Sequence, residues 1–228
     1  MPENPSPNKK TLITGATGMM GRQVLMQLLD NPAVGEIVSV GRRKTPLSHD
    51  KLREIVPEDF LDLSPLAADL AGVDVCFYCL GTYQSQVTRK AYFKITCDYL
   101  AAMLDALSAA SPLATFVLFS AQGARPEGKG MYFARVKGKA ENLLNERTFP
   151  RKYIFRPGHI QPTHQRKPPG LMYRHIALPM MTKKFAKNPA IGVTDRDLAK
   201  AMVSVGIART EDSQVFDNAM IREAAGAD

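Results

Sequence analysis

The sequence predicts an α/β fold: a doubly wound parallel sheet with helices on both faces and a small substrate-side lobe in its C-terminal part. Three observations carry this. Short apolar runs alternate with helical patterns along the chain, as parallel βαβ units require. The first run, Thr11-Leu12-Ile13, leads into Gly15, Gly18 and Gly21 and then into a helical pattern. A proline-rich, basic stretch at 161–188 interrupts the alternation late in the chain.

The elements follow in order. Strands are predicted at 10–14, 36–41, 53–56, 73–80, 115–120 and 152–156, with a late one at 214–217. Helices are predicted at 19–30, 66–70, 92–109, 134–146, 175–185 and 195–208. Val24, Leu25, Leu28 and Leu29 form the apolar stripe of the first helix, and Asn31-Pro32 stops it because proline cannot continue a helix. Thr194 is the expected N-cap of the last long helix, with Asp195 and Asp197 at its positive end. Residues 1–8 carry three prolines and no apolar run, and read as a disordered tail. Residues 9–228 read as a single domain. The stretch 161–188 holds Pro162, Pro168, Pro169 and Pro179 among scattered Arg, Lys and His, and is placed beyond the C-terminal strand ends, where open α/β sheets bind ligands.

The glycine stretch has the order needed to set a dinucleotide pyrophosphate on a helix N-terminus. Gly15 permits the tight turn out of the strand, Gly18 lets the backbone approach the phosphates, and Gly21 lets helix and strand pack closely. Thr17, Met19 and Met20 complete this candidate phosphate loop. The architecture is therefore expected to be of the Rossmann type. After the second strand comes Gly41-Arg42-Arg43-Lys44, with Arg42 about twenty residues past the last glycine. An acidic residue there would grip the ribose 2′-hydroxyl of NAD, whereas Arg42 and Arg43 suit the 2′-phosphate of NADP. NADP is the expected cofactor, with NAD as the alternative.

Other cofactor positions follow from the same sheet edge. Asp62-Leu63, after the third strand, can reach the adenine. Leu80-Gly81-Thr82, at the end of the fourth, passes beside the nicotinamide ribose, and Arg156-Pro157-Gly158, at the end of the sixth, borders the nicotinamide.

Composition narrows the class. The net charge of +8 suits an anionic ligand, but the basic residues are not interleaved with stacking aromatics and no nucleic-acid motif is present. No run is long and apolar enough to span a bilayer. A cytoplasmic location is the expectation. Cys76 and Cys79 form a C-x-x-C, yet they fall on a predicted buried strand where positions three apart face opposite sides. They and Cys97 are expected to be free buried thiols, with no metal site.

Together these residues resemble an atypical short-chain dehydrogenase/reductase, and more narrowly the Tat-interacting-protein-like NAD(P)-binding oxidoreductase group. The resemblance covers nearly the whole chain. It rests on Thr14–Gly21 with its Gly-x-x-Gly-x-x-Gly spacing, on 41–44, on 79–82, on Phe119-Ser120-Ala121-Gln122-Gly123-Ala124, on Val136-Lys137-Gly138-Lys139-Ala140-Glu141 and on 155–158. It implies an NADP-binding Rossmann fold, and in some members action through protein partners. It also implies a Ser-Tyr-Lys set, in which serine orients the substrate, tyrosine carries the proton and lysine binds the ribose. Ser120 and Lys137 match two of these positions, while the tyrosine position, four before Lys137, holds Phe133. Tyr132 is one residue away and becomes the candidate acid if the start of the helix is irregular; His159 and Tyr83 are the other proton sources considered.

Two functions are expected from this. One is an NADP-preferring oxidoreductase of a small carbonyl or hydroxyl compound, using Ser120, Tyr132 and Lys137. The alternative is a catalytically weak NADP(H)-binding regulatory protein acting through a protein partner. A monomer or homodimer is expected, and contact with a membrane surface through the basic lobe is the weakest reading.

Overall fold

The computed structural model describes residues 8–164 and 178–226. Residues 1–7 of the expected tail and 165–177 of the expected lobe lie outside the described residues. Seven strands form a fully parallel sheet: β1 (Lys9–Thr14), β2 (Val34–Val40), β3 (Leu52–Ile55), β4 (Val75–Tyr78), β5 (Thr115–Phe119), β6 (Arg151–Phe155) and, after two short strands elsewhere, β9 (Gln214–Phe216). Their order is β3-β2-β1-β4-β5-β6-β9, so the winding reverses between β1 and β4. That reversal is the crevice in which such sheets bind nucleotides.

Helices cover both faces. On one side lie α1 (Met19–Leu29), α7 (Asp195–Ala208) and α8 (Asn218–Ala225), packed on Ile13, Phe77, Val117 and Phe155. On the other lie α2 (Ala67–Leu70), α4 (Tyr99–Ala110) and α5 (Tyr132–Asn145), packed on Leu12, Val38, Phe116 and Ile154. Adjacent strand residues thus feed different cores, which is why β4 reads Val-Cys-Phe-Tyr with every residue buried. Cys76 joins one core and Cys79 the other, as their spacing requires, and all three cysteines are free and buried.

Thr194 caps α7 as expected, its hydroxyl accepting from the Asp197 amide at 3.0 Å. The expected helix at 92–109 is longer and interrupted. It starts with α3 (Arg89–Phe93), capped by Thr88, and passes through a π-helical turn at Lys94–Asp98 before α4. The helix expected at 175–185 corresponds to α6 (Leu178–Lys187). Two strands were not expected: β7 (His159–Gln161) and β8 (Gly192–Thr194) pair in parallel as a separate small sheet. Asn218 ties this sheet to the turn before it, donating to the carbonyls of Ala190 and Gly192 and accepting from the Gly158 amide.

Candidate functional site

The glycine loop lies at the C-terminal end of β1. Gly15 has φ +73°, and a side chain there would strike the backbone of Cys79 at 2.7 Å. At Gly21 a Cβ would meet the Gly15 carbonyl oxygen at 2.1 Å, so the loop closes only with glycine at both places. Gly18 is the N-cap of α1 and supplies no capping side chain, and the first turn carries no acidic residue. The positive dipole end of α1 therefore lies at the loop with neither a capping side chain nor an acidic residue, a fit for a pyrophosphate. Thr17 lies in the loop, while Met20 is buried in the core and Met19 packs against it.

Beside the loop is an open cleft lined by Ala16, Thr17, Arg22, Arg43, Lys44, Thr45, Pro46 and Leu47. Arg43 Nε reaches Thr17 Oγ1 at 3.5 Å, which draws the guanidinium over the glycine loop. Arg42 is exposed and lies outside the lining. Arg22 was not expected in the site, and Lys44 was expected only as part of the 41–44 motif. The available signal for Arg22 was its place directly after Gly21, on the first turn of the phosphate helix.

At the adenine position the Asp62 carboxylate accepts from the Ser64 hydroxyl at 2.6 Å and its amide at 3.0 Å. Those bonds hold the exposed carboxyl below its usual range. Leu63 is 2% exposed and its side chain belongs to the core. Leu80 follows β4, with its amide donating to Thr14 Oγ1 at 3.3 Å, so Leu80-Gly81-Thr82 leaves the sheet beside the glycine loop. Arg156-Pro157-Gly158 leaves β6, and the Pro157 carbonyl accepts from the Gln122 amide at 2.9 Å.

The residues expected to carry chemistry are already engaged within the protein. Ser120 is 3% exposed, and its Oγ donates to Glu141 Oε1 at 2.6 Å. Glu141 is fully buried, accepts from Arg156 Nε at 2.9 Å and pairs with Nη2 through its other oxygen. Lys137 is half-buried, and its ammonium donates to the Phe119 carbonyl at 3.3 Å. Burial pulls the Lys137 pKa below the ordinary lysine range, and the Glu141 charge opposes that pull.

Tyr132 is the first residue of α5, and its hydroxyl donates to the Arg89 carbonyl at 2.9 Å. Its ring lies against Tyr92, with the guanidinium groups of Arg89 and Arg135 over it. Five residues of regular helix turn it about 140° from Lys137. Phe133 is partly buried and packs against the core. His159 contacts Gln161 and lies tilted against Phe185 of α6, and Tyr83 is exposed. Glu141 was passed over in the sequence except as part of a motif, although its i,i+4 spacing from Lys137 was visible. Among the described residues, no group of three or more His, Cys, Asp or Glu side chains is placed to hold a metal.

Fold and loop together define a nucleotide-binding protein of the Rossmann type. The chain belongs to the NAD(P)H-binding family whose model matches residues 15–205. Protein HTATIP2 of Rattus norvegicus is 28% identical over 208 residues, covering 90% of this chain and 85% of that protein. Protein FMP52, mitochondrial, of Debaryomyces hansenii is 30% identical over 150 residues, 65% of either chain. Among solved structures, Bordetella bronchiseptica WbmF in complex with NAD+ matches with TM-score 0.69 at 15% identity, covering 98% of this chain and 80% of that one. MoeE5 in complex with UDP-glucuronic acid and NAD matches with TM-score 0.68 at 17% identity, covering 95% of this chain and 82% of that one. The chain is thus an NAD(P)-binding protein with a Rossmann-type fold.

The relatives correct one expectation. Several fungal ones are mitochondrial proteins by name, which overturns the cytoplasmic location expected here. That expectation rested on the lack of an apolar leader, and a mitochondrial address is amphipathic and arginine-rich instead. Among the described residues, no helix is long and apolar enough to cross a membrane.

Proposed function

We propose that the protein is an NADP(H)-preferring oxidoreductase of a small carbonyl or hydroxyl compound. The observation that carries the cofactor preference is the basic wall of Arg22, Arg43 and Lys44 beside the uncapped start of α1. A 2′-phosphate in that cleft meets Arg43 and Arg22, and the pyrophosphate lies on the amides after Gly18. Arg42 contributes to the field from the cleft's rim. Leu80-Gly81-Thr82 and Arg156-Pro157-Gly158 border the nicotinamide end, Asp62 and the backbone beside it the adenine, and Lys137 the ribose hydroxyls. Bound NADP(H) supplies or accepts the hydride. Ser120 has committed its one proton to Glu141, so it meets a ligand through its oxygen lone pairs. Tyr132 serves as the acid only by leaving the Arg89 carbonyl.

That commitment of both hydroxyls favours a second reading: an NADP(H)-binding regulatory protein with little turnover that acts through a partner. One set of measurements separates the two. Purified protein is titrated with NADPH and NADP, and NADPH oxidation is followed across a broad carbonyl panel. Turnover on any member supports the oxidoreductase. Tight binding without turnover, with protein partners that differ between NADPH and NADP pull-downs, supports regulation. Failure to bind either nucleotide overturns both.

A further inference from the structure

Three groups of the site converge on one buried carboxylate. Glu141 takes the Ser120 hydroxyl at 2.6 Å and the Arg156 Nε at 2.9 Å, both on Oε1, and Arg156 Nη2 on Oε2. Ser120 stands just past β5 and Arg156 just past β6, so one side chain of α5 ties together two strand ends at the ligand edge of the sheet. Lys137 lies one turn earlier on the same helix, and the i,i+4 spacing gives it a shared face with Glu141. Apolar packing has no need of such a carboxylate. A charge buried this deeply is retained only where its partners offset its desolvation.

We propose that Glu141 is the positioning residue of this site: it fixes Ser120 and Arg156 at the strand ends and, one turn from Lys137 on the same face of α5, is the counter-charge that orients that ammonium toward the ribose of a bound cofactor. The proposal rests on the reading of Lys137 as the ribose-binding group and deepens it.

The groups facing Lys137 come from four elements. They are Glu141 on α5, Cys97 in the π turn, Cys79 after β4, and the Phe119 carbonyl and ring on β5. Burial pushes the Cys79 thiol up to about 12 and the Cys97 thiol up to about 11, so both are neutral around pH 7. Glu141 is the one carboxylate of the four. Arg156, on its far side, shares that charge. Without Glu141, burial acts on Lys137 unopposed, and the ammonium loses its proton at lower pH.

The test is NADPH affinity, read by nucleotide fluorescence between about pH 7 and 10, where an unperturbed lysine begins to titrate. In the native protein, affinity holds and then falls as Lys137 deprotonates. Glu141→Gln is expected to bring that fall down by about one pH unit or more. Adding Lys137→Arg to it, a cation that stays charged, is expected to flatten the profile again. The pH dependence of Lys137 acetylation by acetic anhydride, read by mass spectrometry without cofactor, is expected to shift by the same amount. If Glu141→Gln fails to fold with Arg156 unpaired, Arg156→Gln replaces it. That variant frees the carboxylate for Lys137 and is expected to move both profiles to higher pH. Equal weakening at every pH, with an unmoved acetylation profile, would reduce Glu141 to a structural residue and overturn the proposal. Unchanged NADPH affinity in Lys137→Met would instead remove Lys137 from the ribose while leaving the acetylation shift intact.

Discussion

The Tyr132 hydroxyl donates to the carbonyl of Arg89 at 2.9 Å, binding the first residue of α5 to the first residue of α3. The phenol is directed at a backbone acceptor on a neighbouring helix, on a different face of α5 from Lys137. Tyr132→Phe is therefore expected to cost about 1 kcal/mol of stability, the worth of one hydrogen bond, in denaturant unfolding. NADPH affinity is expected to be unchanged. A fall in NADPH-dependent turnover with unchanged stability would return Tyr132 to the role of acid.

The position that does share a face with Lys137 is Phe133. Phe133→Tyr restores a phenol four residues before the lysine and supplies a proton donor where the chain has none. If the protein is a weak oxidoreductase, carbonyl reduction is expected to rise by about 10²-fold or more. No gain on any carbonyl in the panel would favour the regulatory reading.

The two arginines after β2 are expected to differ. Arg43 lines the cleft and reaches Thr17, and Arg42 does neither. Arg43→Ala and Arg22→Ala are expected to weaken NADP by about 10-fold or more, the worth of a charged hydrogen bond, and to leave NAD nearly untouched. Arg42→Ala is expected to have a smaller effect on NADP. Isothermal titration with both nucleotides checks this, and equal losses for NAD and NADP would show that the wall does not read the 2′-phosphate.

Thiol chemistry offers an independent check of the packing. Burial raises all three cysteines, with Cys79 pushed to about 12 and Cys97 to about 11. Raised values leave little thiolate near pH 8, since deprotonation begins only as pH approaches the shifted value. Native protein is expected to resist iodoacetamide at that pH, while unfolded protein takes up three equivalents. Mass spectrometry counts them, and rapid native labelling of Cys79 would place it outside the core.

Much of the sheet was legible because central parallel strands carry unbroken apolar runs. Val75 to Leu80, within the strand expected at 73–80, is such a run, and its core is β4. Gly15, Gly18 and Gly21 were legible because their spacing is a steric requirement of the turn. β7 and β8 were not, since three residues are too few to set a period. The expected helix at 134–146 begins two residues earlier, at Tyr132, and that difference decides which aromatic leads the helix. α8 was missed altogether, although Asp217 caps it and accepts from the Met220 amide at 3.0 Å. Least visible were long-range polar contacts. Nothing in local sequence ties Glu141 to Ser120 and Arg156, because three separate elements must fold before the carboxylate finds them.

The small β7–β8 sheet has a bearing on how this chain can change. Residues 162–191 leave from the end of β7 and return at the start of β8, and the two strands meet in register, Gln161 against Thr194. The strands are parallel, so the segment leaves beside Thr194 and re-enters beside His159, at opposite ends of a three-residue sheet that pairs with neither β6 nor β9, and its length and content can vary without breaking the main sheet. Selection, or an engineer, can exchange that segment as a cartridge. The nucleotide-binding half of the protein would be left untouched.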